Sequence, residues 1–292
     1  MKLGVLVEGE EGLDWDNWRR VGALAERLGF ESIWVSDHFR SPWVHDRHGL
    51  DAWMALAVTA AETRRLQLGP LVSPITFREP AIMARMAESL HDLSRGRFVL
   101  GLGLGWNADE HREAAIGFPP AAQRRQRLMD GIKLIRRILG KRHVPLLIGG
   151  GGPQATLPLV ARYADHWNMT TSSVELYHAR NGRLDELCRA IGRDPGRVRR
   201  SVAVGYLIGR DSTELEARCE RLRRVVPPLA EATDVVLAAR QMGWVAGTSS
   251  EVAEHLRALA DAGADLAILG HYDLEDDASL ELVAHEVMPV LG

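Results

Sequence analysis

The sequence predicts a single (β/α)₈ barrel over residues 1–292. Short β-rich apolar runs alternate with helical patterns along the whole chain, eight such runs can be placed, and 292 residues is the length eight units require. Strands separated by helices pair in parallel through right-handed crossovers, and no linker or low-complexity tract interrupts the alternation.

Leu3–Val7 is the first strand, followed by a helix with Trp15, Trp18, Val21, Gly22, Ala25 and Leu28 at three- and four-residue spacing, stopped at Gly29. Ser32–Ser36 is the second strand. Asp51 caps a helix over Ala52–Thr63, and Gln67–Val72 follows. Pro80 opens a helix carrying Ile82, Met83, Met86, Leu90 and Leu93. After Phe98–Leu102 a long helix places Leu128, Ile132, Ile135 and Leu139 on one face. In the second half Pro145–Ile148, His166–Met169 and Ser201–Ile208 read as strands. Two helices broken at Pro227-Pro228 lie between Asp211 and Gly247, and Thr248 with Glu251 forms a capping box for a helix with Val252, Leu256 and Leu259. Leu266–Leu269 is the last strand, before a closing helix with Leu280, Val283, Val287 and Met288.

With 36 basic and 39 acidic residues the net charge is −3, which argues against a nucleic-acid or membrane-surface partner. The basic run at Arg124, Arg125 and Arg127 reads as a solvated helix face. Cys188 and Cys219 are too few for a disulfide scaffold or a thiolate metal site, and the histidines show no metal-ligand spacing. His111 reads as part of a solvated helix start. No segment approaches a membrane span or a signal peptide, so the cytosol is the expected compartment.

In a barrel, chemistry belongs to the loops after the strand C-termini. These begin near Glu8, Asp37, Ser73, Gly103, Gly149, Thr170, Gly209 and Gly270. Asp37-His38 pairs an acid with an imidazole that titrates near neutrality, suited to moving protons, although Asp37 could equally cap backbone amides. Gly101, Gly103 and Gly105 permit close approach of a flat ring, or packing on a neighbour. Trp106 stands where a dinucleotide fingerprint would need glycine. Gly149, Gly150, Gly151 and Gly152 offer free amides to an anion, although Pro158 delays the helix behind them.

Taken in order, Trp34-x-x-Asp37-His38, Leu71-Val72-x-Pro74-x-Thr76-Phe77-Arg78-x-Pro80, Asp92-Leu93-Ser94-x-Gly96-Arg97, Gly101 to Asn107, and Ala161 to Asn168 resemble the luciferase-like monooxygenase family, in its branch that uses the deazaflavin coenzyme F420. The resemblance implies an oxidoreductase passing a hydride between the deazaflavin and a small organic substrate. Asp37 and His38 would sit beside the ring, with His38 moving the proton. Leu71–Val72 would form a non-proline cis peptide behind the ring, with Ser73 following it. Gly149–Gly152 would hold the phosphate, and Trp106 and Asn107 would line the ring or substrate side. The loops 39–50 and 104–123 would cover the substrate with Phe39, Trp43, Trp106 and Phe118, favouring an apolar or aromatic compound. Homodimerisation is implied too. Relatives with sugar-phosphate chemistry carry a glutamate acid after the fourth strand, where this chain has Trp106, and an insertion before the fifth strand that is shortened ahead of Pro145. The alternatives are an FMN-dependent monooxygenase on the same barrel and a non-catalytic flavin-binding barrel.

Overall fold

Strand and helix ends fall where local chemistry puts them. Gly29 adopts φ 85° and closes α1 (Trp15–Leu28) after β1 (Lys2–Val7). β2 spans Ser32–Val35, and the Asp51 carboxylate accepts hydrogen bonds from Trp53 N and Met54 N to start α2 (Ala52–Glu62). The third run is broken into β3 (Gln67–Pro70) and β4 (Ser73–Pro74), with a cis peptide at Leu71–Val72 between them. The computed structural model describes residues 1–44 and 47–292. Part of the expected substrate loop, His45 and Asp46, lies outside the described residues.

Pro80 sits in the first turn of α3 (Pro80–Leu93), which leads to β5 (Leu100–Gly103), the short α4 (Ala108–Glu113) and α5 (Ala121–Leu139). Residues 140–145 connect to β6 (Leu146–Gly149), and α6 (Leu157–Tyr163) starts only one residue ahead of Pro158. β7 (His166–Thr170), α7 (Val174–Ala190), β8 (Arg199–Gly209) and α8 (Ser212–Val225) follow. α9 (Val235–Gln241), β9 (Val245–Thr248), α10 (Ser249–Asp261), β10 (Leu266–Gly270) and α11 (Asp277–Leu282) complete the main elements. The Thr248–Glu251 capping box is present.

Parallel pairing runs β3-β2-β1-β10-β8-β7-β6-β5-β4, and a parallel bridge between Leu68 and Phe98 joins β3 back to β5. The ring therefore has eight staves, with β3 and β4 as two halves of one, and the fold is the expected (β/α)₈ barrel. β9 was not placed from sequence. It pairs with the outer half of β8, away from the ring, and its short run reads as a helix connection.

Leu128, Ile132, Ile135 and Leu139 are all buried as their spacing predicts. Gly101 and Gly103 in β5, with Gly149 in β6, leave room for the third stave. A Cβ on Gly101 would overlap the Pro70 carbonyl oxygen, one on Gly103 would lie 2.5 Å from Val72 Cγ2, and one on Gly149 would lie 3.0 Å from Val72 Cγ1. Neighbouring staves are bare so that the Leu71–Val72 ridge can enter the barrel mouth. Gly101→Ala is accordingly expected to lower the unfolding free energy by about 1–3 kcal/mol, read as a shift in the urea midpoint.

Candidate active site

A cavity of about 780 Å³ opens at the C-terminal ends of the staves. That size admits a ring-bearing cofactor together with a small substrate. Its floor includes Leu6, Leu71, Val72 and Ala203, and Trp43 and Trp106 stand at its rim.

His38 leaves β2 into this cavity, and its position is set from behind. Asn107 caps α4, accepting from the backbone of Asp109 and Glu110, and the turn points Glu110 inward. The Glu110 side chain is 1% exposed; its Oε2 lies 2.9 Å from His38 Nδ1, and its Oε1 accepts from Phe39 N at 2.5 Å. Burial opposes charge on the imidazole, but the Glu110 hydrogen bond and the nearby Glu10, Glu110 and Glu8 outweigh it and push His38 up to about 9. At neutral pH the ring is a cation. With Nδ1 engaged by Glu110, Nε2 is left as the proton-carrying atom available to a ligand.

Glu8, Glu10 and Glu11 line the same cavity from the loop after β1. Burial raises Glu8, against the opposing pull of His38, and burial together with the charge of Glu8 raises Glu10 to about 8. The Ser36 hydroxyl donates to Glu10 Oε2 and accepts from Gly9 N at 2.7 Å.

On the opposite stave Gly149, Gly150 and Gly151 reach the cavity wall, and Gly152 does not. The Gly150 amide is spent on the Asn168 carbonyl at 2.9 Å, while the Gly150 carbonyl accepts from Trp167 Nε1 at 2.9 Å. Gly150 therefore offers an anion nothing. The Gly151 and Gly152 amides have no partner among the described residues, so half of the expected amide set remains. α6 is too short and too late to add an N-terminal field.

Several residues expected at the site are elsewhere. Asp37 is 5% exposed and faces away from the cavity: Arg78 Nη1 and Nη2 donate to it at 2.5 and 3.1 Å, Trp53 Nε1 at 3.2 Å and the Ser73 hydroxyl at 2.5 Å. Ser73 is fully buried in that cluster. Asn107 is a helix cap, as above. Phe39 packs on Phe77 at 4.6 Å, and Phe118 lies edge-on to His111 at 4.7 Å beneath the Arg124 guanidinium at 3.9 Å. His111 is fully buried, with Nδ1 on the Asn107 carbonyl at 2.6 Å and Nε2 on the Thr76 hydroxyl at 2.7 Å, in place of the expected solvated helix start. His38, Trp43, Leu71, Val72, Trp106 and Gly149–Gly151 are brought together.

The residues missed by sequence reasoning are Glu110, Glu10 and Tyr272. Glu10 and Tyr272 lie two residues into loops nominated after the first and last strands but are not singled out there, and for Glu110 an asparagine cap three residues ahead of it fixes which way the first turn points.

The pair His38–Glu110 ties stability to pH. A raised imidazole stabilises fully below its unfolded value of about 6.5, and that contribution is lost as pH rises through about 9. Thermal melts are expected to show a steeper decline between those limits than Glu110→Gln shows.

Comparison with known proteins places this geometry. The family model described as luciferase-like monooxygenase matches residues 1–266. An F420-dependent glucose-6-phosphate dehydrogenase of Kineococcus radiotolerans is 27% identical over 311 residues, covering 91% of this chain and 90% of the relative. An F420-dependent hydroxymycolic acid dehydrogenase of Mycobacterium tuberculosis is 28% identical, over 66% of this chain and 59% of its own. Among solved structures, an F420-dependent secondary alcohol dehydrogenase in complex with an F420-acetone adduct superposes with a TM-score of 0.85 at 20% identity, covering 100% of this chain and 99% of the other. The family model, matched over residues 1–266, establishes that this chain belongs to the luciferase-like monooxygenase family.

Proposed function

We propose that this protein is an F420-dependent oxidoreductase, exchanging a hydride between the deazaflavin and a small organic substrate, with His38 carrying the accompanying proton. The observation that carries the reading is His38 held in the mouth cavity as a cation by buried Glu110. The names of the relatives support the choice of cofactor. The cavity suits a flat ring: the Leu71–Val72 ridge supplies an apolar back wall, and the bare backbone at Gly151, where a Cβ would lie 2.7 Å from Met169 Sδ, makes a narrow cradle. The Gly151 and Gly152 amides, the two left without a partner among the described residues, would hold the phosphate.

When bound, the deazaflavin supplies the two electrons as hydride. This chain's residues do the rest. Glu110 fixes the His38 ring and keeps its proton on near neutrality. Nε2 then donates to a substrate heteroatom as the neighbouring carbon is reduced, or accepts that proton in reverse. Trp43 and Trp106 exclude water from the reacting face.

Titrating the purified protein with F420 and with FMN tests the cofactor: micromolar FMN binding without F420 binding overturns the reading. Glu110→Gln tests the relay. Removing the carboxylate lowers the His38 pKa, so the alkaline fall in the rate of substrate reduction, expected near 9 in the natural chain, moves to lower pH. An unchanged profile would remove Glu110 from the mechanism. The protein is further proposed to work as a cytoplasmic homodimer, checked by its mass in solution; among the described residues no helix is long and apolar enough to cross a membrane.

A further inference from the structure

The cavity wall is chemically lopsided. Glu8, Glu10 and Glu11 line it after β1, while no lysine or arginine lines it among the described residues. Three staves separate β1 from β6 in either direction round the ring, so these carboxyls face the Gly149–Gly151 loop across the mouth. A phosphorylated tail on the glycine loop is thereby kept away from them. Whatever fills the other side meets acid.

This is more than a solvated charge run. Glu10 is 5% exposed, and the Tyr272 hydroxyl reaches Glu8. The Glu11 side chain is 7% exposed; its Oε2 is 2.5 Å from Arg47 Nη1, and its Oε1 has no partner among the described residues although Glu11 forms part of the wall. A buried acceptor without a donor points to a donor that arrives with the ligand. A metal ion does not meet the need, because the described residues hold no group of three or more ligating side chains arranged for one. A carboxylate or a phosphate dianion brings no donor to the Glu11 acceptor and leaves it unmet.

We propose that the substrate carries a basic nitrogen, an ammonium or protonated imine, seated on Glu8 and Glu11, with its apolar body against Trp43 and Trp106. Trp43 and Tyr272, 5.8 Å apart, add aromatic faces that favour a cation. The inference rests on the reading of this cavity as the active site. Glu8 is faced by His38 and Ser36 from the loop after β2, by Tyr272 from the loop after β10, and by Glu10 and Glu11 on its own loop. Arg47 offsets Glu11, and Glu110 lies behind His38. Because burial raises Glu8 and Glu10 above the usual carboxylate range, an entering cation displaces a proton, and its affinity rises with pH.

Calorimetry with benzylamine, benzyl alcohol and benzoate tests this on the natural chain. Benzylamine is expected to bind at least about tenfold more tightly than the alcohol, with proton release that depends on the buffer, and benzoate to bind more weakly than either. Glu8→Gln should abolish the preference, and Glu11→Gln should reduce it if the first variant does not fold. Equal binding of amine and alcohol, tighter binding of benzoate, or a preference intact in folded Glu8→Gln overturns the inference. A parallel F420 titration separates the failures: F420 binding without amine preference sinks this inference alone, and amine preference without F420 binding sinks the cofactor reading alone.

Discussion

Replacing His38 by alanine is expected to cut turnover by about 10²–10⁴-fold while leaving cofactor affinity within a few-fold of the natural value. The split follows from the geometry. Its Nδ1 is taken by Glu110, so what the ring offers the cavity is one titrating nitrogen, whereas the surfaces a flat ring would rest on come from Leu71, Val72 and the glycine loop. Removing the imidazole takes away the proton and leaves the seat. It also strands Glu110, whose Oε1 still accepts from Phe39 N but whose other oxygen loses its cation at 1% exposure. A drop in melting temperature should therefore accompany the loss of rate. Fluorescence titration for affinity, alongside steady-state turnover, separates these effects. Full turnover in the variant would exclude His38 as the proton carrier, and lost cofactor binding with a normal melting temperature would make it a ring-binding residue instead.

The alternation of strands and helices was legible because each helix announces its own ends: Gly29, Asp51, Pro80 and Thr248 act within one turn of where they stand. The mouth of the barrel was legible for the same reason, since loops after strands are located once the strands are. What escaped depends on closure of the ring. Val72 meets Gly101, Gly103 and Gly149 only because the next two staves, β5 and β6, curve around it, and no local pattern tells a glycine spared for a valine from one spared for a cofactor. Glu8 marks only the start of a loop after the first strand, and nothing local singles out Glu10 and Glu11 beside it. They are carried inwards by their place at the end of β1, and Ser36 and Tyr272 close over them from two other loops. Asp37 shows the opposite error. Beside His38 it looks like half of a reacting pair, but successive residues leaving a strand point to opposite sides, so one entering the cavity sends its neighbour into the packing behind.

That alternation makes Asp37 a structural residue of large weight, and Asp37→Ala is expected to destabilise the fold by about 3–5 kcal/mol. Its carboxylate is the common acceptor for Arg78, Trp53 and Ser73, drawn from the loop before α3, from α2 and from β4. Truncation leaves a guanidinium 15% exposed, with the partly exposed Asp51 as its remaining ion-pair partner. Trp53 Nε1 and the Ser73 hydroxyl would keep only each other. The cost arises from stranded partners more than from any net strength of the pair, and a double-mutant cycle separates the two. Arg78→Met combined with Asp37→Leu removes both charges and should recover much of the loss, whereas either change alone should not. If Asp37→Ala instead melts normally in urea but loses cofactor affinity, the carboxylate acts on the ligand, and the cluster behind β2 has a role its geometry does not suggest. The cluster also sits directly behind His38 and borders the Leu71–Val72 ridge through Ser73. Loosening it should therefore lower turnover even at temperatures where the variant remains folded, and added cofactor should restore part of the lost melting temperature by binding only the folded chain.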